Sequence, residues 1–269
     1  MTIEYDGTGY AGWQVQNSHA SHLTPHTSKT IQDTIEKALQ RILQEKIRLI
    51  GSGRTDAGVH AQGQVANFKT KSELDCKNIQ KGLNGILPKD IRIKQAEPAR
   101  PDFHARFSAR SKLYRYSIVN HSFVSPFLRR HCYLVRYALD TGKMRRAADE
   151  LLGKHNFRSF QAVDKKQMPS VRKILRLDIR RSKNLIYLDI HADGFLYRMA
   201  RNIAGTLIEV GRGRLRAQDI KEILKAKDRK CAGPCAPAKG LCLMDVKYKK
   251  GLTWPQSYGI LHFSWYRKV

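Results

Sequence analysis

Acidic residues and long hydrophobic runs are what this sequence of 269 residues most lacks. Only 23 Asp and Glu stand against 50 Lys and Arg, which leaves a formal net charge of +27. No stretch approaches the roughly 18–20 uninterrupted apolar residues that a membrane span needs. The first residues, MTIEYDGTGY, contain no apolar segment of the kind that a secretory signal requires. We therefore expect a cytoplasmic protein that has no membrane partner.

The excess of basic residues favours a polyanionic partner, because a phosphate-rich ligand offsets the self-repulsion of so many positive charges. Hydrophobic residues make up 41% of the chain. That share is sufficient for a folded core and argues against a basic disordered tail. Nucleic acid is the partner that this composition indicates. A basic protein that interacts weakly with any acidic molecule is the alternative.

Metal and nucleotide motifs are also scarce. Cys231 and Cys235 have a C-x₃-C spacing without a neighbouring His, whereas structural zinc needs four ligands. The five cysteines are an odd number and are interpreted as reduced thiols. Gly51 and Gly53 follow a predicted strand, but Asp56 stands where a dinucleotide fingerprint would have its third glycine. With no GK[ST] loop and no H-E-x-x-H motif, we expect neither a metal nor a cofactor.

Apolar periodicity alternates between helical and strand spacing along the chain, which predicts an α+β fold. The proline-containing segment before residue 107 indicates a junction there, which would divide the chain into residues 1–107 and 108–269. The predicted helices cover residues 31–43, 76–87, 142–152, 195–210 and 220–224. The predicted strands cover residues 46–50, 64–68, 91–96, 113–119, 173–180, 185–192, 241–248 and 260–265.

One segment is unusual: residues 51–61 read GSGRTDAGVHA. This segment resembles the active-site signature of the TruA family of tRNA pseudouridine synthases. Further pieces of the family pattern occur in the family's order before and after this segment, namely YDG at 5–7, GWQ at 12–14, FHARF at 103–107, KLYRY at 112–116 and MARNIAG at 199–205. The resemblance implies the pseudouridine synthase fold, in which two ferredoxin-like, RRM-like halves join into a central, mostly antiparallel sheet flanked by helices.

The resemblance also implies roles for individual residues. Asp56 matches the catalytic nucleophile, Arg201 the arginine that pairs with it, and Arg54 the arginine that fills the space left by a flipped nucleotide. Tyr114 and Leu241 match substrate-binding positions. The residues implied in RNA binding are Phe103, His104, Ala105, Arg106, Phe107, Asp164, Lys165, Lys166, Gln167 and Met168.

Each of these residues also has a plainer interpretation. Asp56 would be a loop carboxylate that caps a turn, and Arg201 an arginine whose guanidinium reaches solvent from a helix edge. Tyr114 would be an ordinary core aromatic residue, as we expect Tyr116 to be. Arg54 would be one of many phosphate contacts.

The function that the resemblance implies is conversion of uridine to pseudouridine at positions 38, 39 and 40 of the tRNA anticodon stem-loop, by a homodimer that needs no small-molecule cofactor. The reaction breaks the N1–C1′ bond and rejoins uracil through C5 without net redox change. A non-catalytic basic RNA-binding protein of the same fold is one alternative. A DNA-binding or ribosome-associated protein is another.

Overall fold

The structure is a computed structural model that describes residues 1–14, 29–162 and 169–249. Within these ranges the chain forms five α-helices and ten β-strands. The helices are α1 (Ile31–Leu43), α2 (Cys76–Ile86), α3 (Thr141–Asp149), α4 (Met199–Gly211) and α5 (Asp219–Ala226). The strands are β1 (Thr2–Tyr5), β2 (Ile50–Gly51), β3 (His60–Asn67), β4 (Ile91–Gln95), β5 (Ala109–Asn120), β6 (Tyr133–Val135), β7 (Gly153–Asn156), β8 (Val171–Ser182), β9 (Leu185–Ala192) and β10 (Leu241–Tyr248).

All ten strands of the described ranges belong to one sheet in the order β4-β1-β3-β10-β5-β9-β8-β7, with β2 paired to β3 and β6 paired to β5. Most pairs are antiparallel; β10 with β3 and β5 with β6 are parallel. The predicted α+β class and mostly antiparallel sheet are confirmed. No helix of the described ranges is both long and apolar enough to cross a membrane.

Strand β10 lies in the middle of the sheet, between β3 and β5. Its first residues pair with the start of β3, and its whole length pairs with β5. The division into residues 1–107 and 108–269 stays a prediction. Residue 107 lies just before β5. Strand β10 belongs to the second segment but lies between β3 of the first segment and β5 of the second.

Local sequence explains where the helices begin. The Thr30 side chain caps α1 by accepting from the Asp33 N–H, as its position before an apolar face predicts. Asp75 caps α2 by accepting from the Lys77 N–H. Helix α4 differs from these two because it is buried on most of its surface, which is the pattern of a helix enclosed by other elements.

Several predicted details are wrong. Residues 46–49 form no strand, and only Ile50 and Gly51 pair with β3. The predicted helices 76–87 and 142–152 end earlier, at Ile86 and Asp149, and Ile86 and Leu152 are accordingly exposed at 41% and 38%. The predicted strand 260–265 lies outside the described residues.

Two helix starts also differ from the prediction. Asp140, not the following threonine, caps α3 by accepting from the Gly142 and Lys143 N–H groups. Helix α4 begins at Met199 rather than at 195, because Arg198 has the left-handed φ of 59° that interrupts a helix.

Candidate active site

The loop between β2 and β3, residues 52–59, is held against the first turn of the chain by two glycines. Gly12 has a φ of +97°, and a Cβ there would lie 2.5 Å from the Thr55 carbonyl oxygen. A Cβ on Gly7 would lie 2.1 Å from the Val59 carbonyl oxygen. Neither position has room for a side chain, so glycine allows this close approach. The YDG and GWQ elements therefore both pack against the loop of residues 52–59.

The Asp56 carboxylate is bound by an arginine that is distant in sequence. Asp56 Oδ2 accepts from Arg201 Nη1 at 2.7 Å, and Arg198 Nε lies 4.0 Å from the same oxygen. Asp56 Oδ1 accepts no hydrogen bond from a described residue. The Asp56 side chain is 21% exposed. One carboxylate oxygen is thus fixed, and the other is left for a ligand.

Arg201 is oriented by two acceptors. Its Nε donates to the Ala236 carbonyl oxygen at 2.8 Å while Nη1 donates to Asp56. The Arg201 side chain is 13% exposed, so its guanidinium does not reach out to solvent from a helix edge. A charged hydrogen bond to an ionised carboxylate is among the strong ones in proteins.

Tyr114 lies beside this pair on β5. The side chain is buried, and its ring packs edge-on against Phe195 with 4.8 Å between centroids. Burial raises the pKa of the Tyr114 hydroxyl, and the nearby Tyr5 and the Asp56 charge raise it further. The hydroxyl therefore stays protonated throughout the neutral range. The Asp56 contribution also shows that the two side chains are electrostatic neighbours.

Leu241 lies at the start of β10, and its side chain is buried. The sheet register pairs Leu241 with Tyr116 and Leu243 with Tyr114, so Leu241 lies one step further along the same face of the sheet. Tyr116 is fully buried and donates to the Pro237 carbonyl oxygen, as its assignment to the core predicts.

Arg54 is exposed, and its Nε donates to the Gln14 side-chain oxygen at 2.8 Å. Among the described residues it forms no ion pair with a carboxylate. Its guanidinium is thus available to phosphate, two residues from Asp56.

The FHARF segment divides into inner and outer residues. The side chains of Phe103 and Ala105 are buried, and the Tyr248 hydroxyl donates to the Ala105 carbonyl oxygen at 2.7 Å. These two side chains pack in the core, and their assignment to RNA binding stays a prediction. Arg106 and Phe107 are exposed, and Phe107 is 76% accessible.

His104 is half-buried between these groups and shapes the turn. Its Nδ1 accepts from the Arg106 and Phe107 N–H groups at 3.2 Å. The outer part of the segment therefore presents a cation and an aromatic ring together. The other predicted RNA-binding residues, Asp164, Lys165, Lys166, Gln167 and Met168, lie outside the described residues.

Lys112, the first residue of the KLYRY element, is a functional candidate to which the sequence analysis gave no individual role. Its Nζ donates to the Ser52 carbonyl oxygen at 2.7 Å and would lie 2.8 Å from a Cβ on Gly53. Burial, with Arg106 and Arg172 nearby, lowers the pKa of Lys112 to about 8. The lysine thus ties β5 to the loop that carries Asp56.

The one cluster in the described ranges with metal-ligand geometry was missed by the sequence interpretation. It comprises Asp6, His60 and His131. His60 Nδ1 lies 3.1 Å from the Gly7 N–H, and its Nε2 lies 2.9 Å from the Arg130 carbonyl oxygen. A neutral imidazole uses both nitrogens in these two contacts, as acceptor and donor.

Protonation chemistry agrees with that tautomer. Burial and the neighbouring His131 lower the pKa of His60, although Asp6 acts in the opposite direction. A neutral His60 with both nitrogens engaged has no free lone pair for a metal. Its position between Gly7 and Arg130 instead fixes the end of the Asp56 loop. The five cysteines are free thiols, and Cys231 and Cys235 belong to no metal-ligand cluster of the described ranges.

Comparison with known proteins identifies the family of this chain. Residues 1–108 and 147–249 match the family described as tRNA pseudouridine synthase. The chain belongs to this family. It is 46% identical over 248 residues to tRNA pseudouridine synthase A of Acetivibrio thermocellus, which covers 92% of this chain and 98% of the relative.

Two further relatives carry the same name. The protein of Caldicellulosiruptor bescii is 45% identical and that of Moorella thermoacetica 43% identical, each over 92% of this chain and 98% of the relative. A solved Cbf5-Nop10-Gar1 complex aligns with 78% of this chain and 54% of its own at 11% identity, with a TM-score of 0.34. That last likeness is too slight to support an argument.

Proposed function

We propose that this chain converts uridine to pseudouridine in the anticodon stem-loop of tRNA, at positions 38, 39 and 40, with Asp56 as the nucleophile. The observation that carries the proposal is the unequal state of the two Asp56 oxygens. One is bound by Arg201 at 2.7 Å, and the other has no donor among the described residues. Membership of the tRNA pseudouridine synthase family supports the reaction type.

The chemistry needs a carboxylate that is ionised and oriented. Asp56 adds to the sugar or to the base, the N1–C1′ bond breaks, and uracil turns so that C5 bonds to C1′. The bond between Asp56 and the substrate breaks again, which restores the free carboxylate. The C5 proton then leaves while N1 takes one up, so the product is an isomer. Arg201 orients the Asp56 carboxylate through the hydrogen bond at 2.7 Å.

The remaining site residues position the substrate. The buried Tyr114 ring offers a flat surface against which uracil can pack, and Leu241 supplies apolar lining on the same sheet face. A base inside a stem must leave the stack before it can react, at a cost of a few kcal/mol. The exposed Arg54 offsets part of that cost by occupying the gap and holding phosphate.

The wider assembly is part of the same proposal. Two copies of the chain form a homodimer in the cytoplasm, with one tRNA lying across both. The charge of +27 supports binding of a large polyanion. Residues 1–107 and 108–269 form the two halves of the cleft, since Asp56 comes from the first half and Arg201 and Tyr114 from the second.

Tritium release tests the proposal. Unmodified tRNA labelled at uridine C5 is incubated with the wild type, with Asp56→Ala and with Asp33→Ala, which removes an exposed helical carboxylate as a control. We expect release by the wild type and the control, and none by Asp56→Ala although it still binds tRNA. Equal release by Asp56→Ala, or none by any protein, would leave the non-catalytic RNA-binding alternative.

Transcripts with a single uridine at position 38, 39 or 40 test the site of modification, and sedimentation tests the dimer. Release from a transcript with uridine at none of these positions would contradict the assignment. A monomer at the concentrations used for the assay would contradict the homodimer.

A further inference from the structure

An exposed turn at residues 125–132 is used by none of the steps above. Its sequence is SPFLRRHC, and two successive backbone turns close it, with the Leu128 N–H donating to the Ser125 carbonyl oxygen and the Cys132 N–H to the Leu128 carbonyl oxygen. We call this segment the Phe127 turn. It precedes β6 at the side of the sheet where β3 and β10 begin.

The Phe127 turn presents an aromatic ring with uncompensated positive charge. Phe127 is 89% exposed, the most of any large hydrophobic side chain in the described ranges. The adjacent Arg129 and Arg130 are exposed, and neither forms an ion pair with a described residue. No acidic residue occurs between 121 and 139. The turn therefore offers an aromatic face and unpaired guanidinium groups side by side.

The turn is fastened to the Asp56 loop. His60 Nε2 lies 2.9 Å from the Arg130 carbonyl oxygen, and the His60 and His131 rings lie 4.7 Å apart. His131 Nε2 is in turn 3.8 Å from Asp6 Oδ2. His60 is the fourth residue after Asp56, so Arg130 lies within about 25 Å of Asp56. That span is less than one turn of duplex, about 34 Å in DNA.

We propose that the Phe127 turn binds an unpaired nucleotide of the tRNA anticodon loop, by stacking the base on Phe127 and holding the adjacent phosphate with Arg129. Aromatic rings with neighbouring arginines form the usual platform for unpaired bases. The inference rests on the proposed target positions, since those uridines lie at the border of the loop. Nucleotides next to the target are the ones that a site at this distance reaches.

A second copy of the chain fits the turn less well. A symmetric contact through this surface would bring Arg129 and Arg130 of both copies together, in a chain whose net charge is already +27. RNA supplies the opposite charge and a flat apolar surface at once.

Binding measurements in the Asp56→Ala background test the inference without turnover. The ligand is the isolated anticodon stem-loop with 2-aminopurine placed in turn at each loop position. Phe127→Ala should weaken binding by about 5- to 150-fold, the usual effect of one lost stack. Phe127→Trp should retain the affinity. Leu74→Ala, which alters another exposed apolar side chain ahead of α2, should bind like the parent.

The salt dependence of binding distinguishes the phosphate contact of Arg129 from the stacking contact of Phe127. Arg129→Gln should reduce the slope of log affinity against log salt by about one, because one phosphate contact is lost. Phe127→Ala should leave that slope unchanged. In the parent, the fluorescence of one loop 2-aminopurine should be quenched on binding, and Phe127→Ala should abolish the quenching.

Three outcomes would overturn the inference: unchanged stem-loop affinity in Phe127→Ala, loss of affinity with no quenching at any loop position, or conversion of a dimer to a monomer by Phe127→Ala. The last outcome would assign the turn to a contact between copies. Absence of tritium release by the wild-type enzyme would instead contradict the proposed function, and the binding measurements do not depend on that release.

Discussion

Asp56 and Asp189 both pair with arginines, and they differ in how many of their oxygens accept hydrogen bonds. Asp189 is 4% exposed and accepts from Arg115 Nε at 2.6 Å, from Arg115 Nη2 at 2.9 Å and from Arg180 Nη2 at 2.5 Å. Asp56 is 21% exposed and accepts one hydrogen bond, from Arg201. Both oxygens of Asp189 accept hydrogen bonds, whereas only Oδ2 of Asp56 accepts one from a described residue.

The difference separates a structural charge from a reactive one. A buried carboxylate without full pairing would lower stability, so Asp189 on β9 is held by arginines from β5 and β8 on either side. A nucleophile with all its lone pairs occupied would react slowly. The comparison predicts that mutation of Asp56 affects mainly rate and that mutation of Asp189 affects mainly stability.

The largest expected effect is on turnover in Asp56→Asn. We expect kcat to fall by about 10⁴-fold or more, because the amide cannot act as a nucleophile. The free energy of unfolding should change by less than about 1 kcal/mol, since the amide oxygen still accepts from Arg201. Single-turnover kinetics and urea unfolding measure the two quantities. A destabilised Asp56→Asn that retained its rate would remove the distinction.

Asp189→Asn should lower the free energy of unfolding by about 3–5 kcal/mol, because two arginines lose their buried counter-charge. The kcat of the folded fraction should stay near that of the wild type. Urea unfolding and turnover of the same preparation provide the measurement. Asp178→Asn, on the neighbouring strand with an exposed arginine partner, is the control that should have little effect.

The same aspartate predicts a pH dependence. Burial alone would raise the pKa of Asp189, but the hydrogen bonds and charges of Arg115 and Arg180 outweigh it and hold the pKa below its usual value. The stabilisation is therefore complete above the unfolded-state pKa of about 4. It is lost as the pH falls through the lower folded-state pKa. Asp189→Asn should lack this part of the acid-induced loss.

Arg201→Gln should reduce kcat by about 10²-fold, comparable to the loss of one preorganised charge contact in other enzymes. Asp56 then loses its only partner among the described donors of hydrogen bonds, so its orientation relaxes. Arg201→Lys should recover part of the rate, because a lysine keeps the charge but cannot bind Asp56 and the Ala236 carbonyl in the same way. Equal rates in both variants would show that charge plays no part.

The smallest expected effect is that of Lys112→Met. Losing the hydrogen bond to the Ser52 carbonyl oxygen should reduce turnover roughly fivefold, the equivalent of about 1 kcal/mol. The lowered pKa of about 8 also determines whether the contribution of Lys112 to stability rises or falls with pH. Between that value and the unfolded-state value of about 10.4, the unfolded chain binds more protons, so stability rises with pH.

Lys112→Met should lack this rise, and the difference between the two stability curves isolates it from other titrating groups. Lys37→Met, which removes an exposed helical lysine, should retain the rise. Parallel curves for Lys112→Met and the wild type would contradict the burial of the ammonium group.

The sequence predicted those parts of the fold that depend on neighbouring residues. Helix α1 with its Thr30 cap, the hairpin of β8 and β9, and the extent of β10 all follow from local periodicity and turn residues. The place of β10 between β3 and β5 did not follow, because strand order depends on pairing between distant segments. The strand-like pattern at 46–49 misled for a related reason, since only Ile50 and Gly51 have a partner strand.

The candidate site divides in the same way. The Asp56 and Arg201 pairing was expected from the family resemblance alone, and no periodicity could bring residues 145 positions apart together. The contacts of Lys112 and His60 depend on carbonyl oxygens of other segments. A carbonyl oxygen has no sequence signal, because every residue carries one. The burial of Phe103 and Ala105 depends on contacts with the distant Tyr248. The sequence therefore could not distinguish these two side chains from their exposed neighbours.

The position of β10 has a consequence for synthesis of the protein. Residues 241–248 are synthesised after every other strand of the described ranges, yet within those ranges they alone lie between β3 and β5. Until they emerge, the segment with Asp56 and the helix with Arg201 have no shared sheet, and non-local pairing of this kind forms slowly. We therefore expect that a chain without residues 241–248 does not assemble the Asp56–Arg201 pair. The order of the strands delays the reactive centre until β10 has been made.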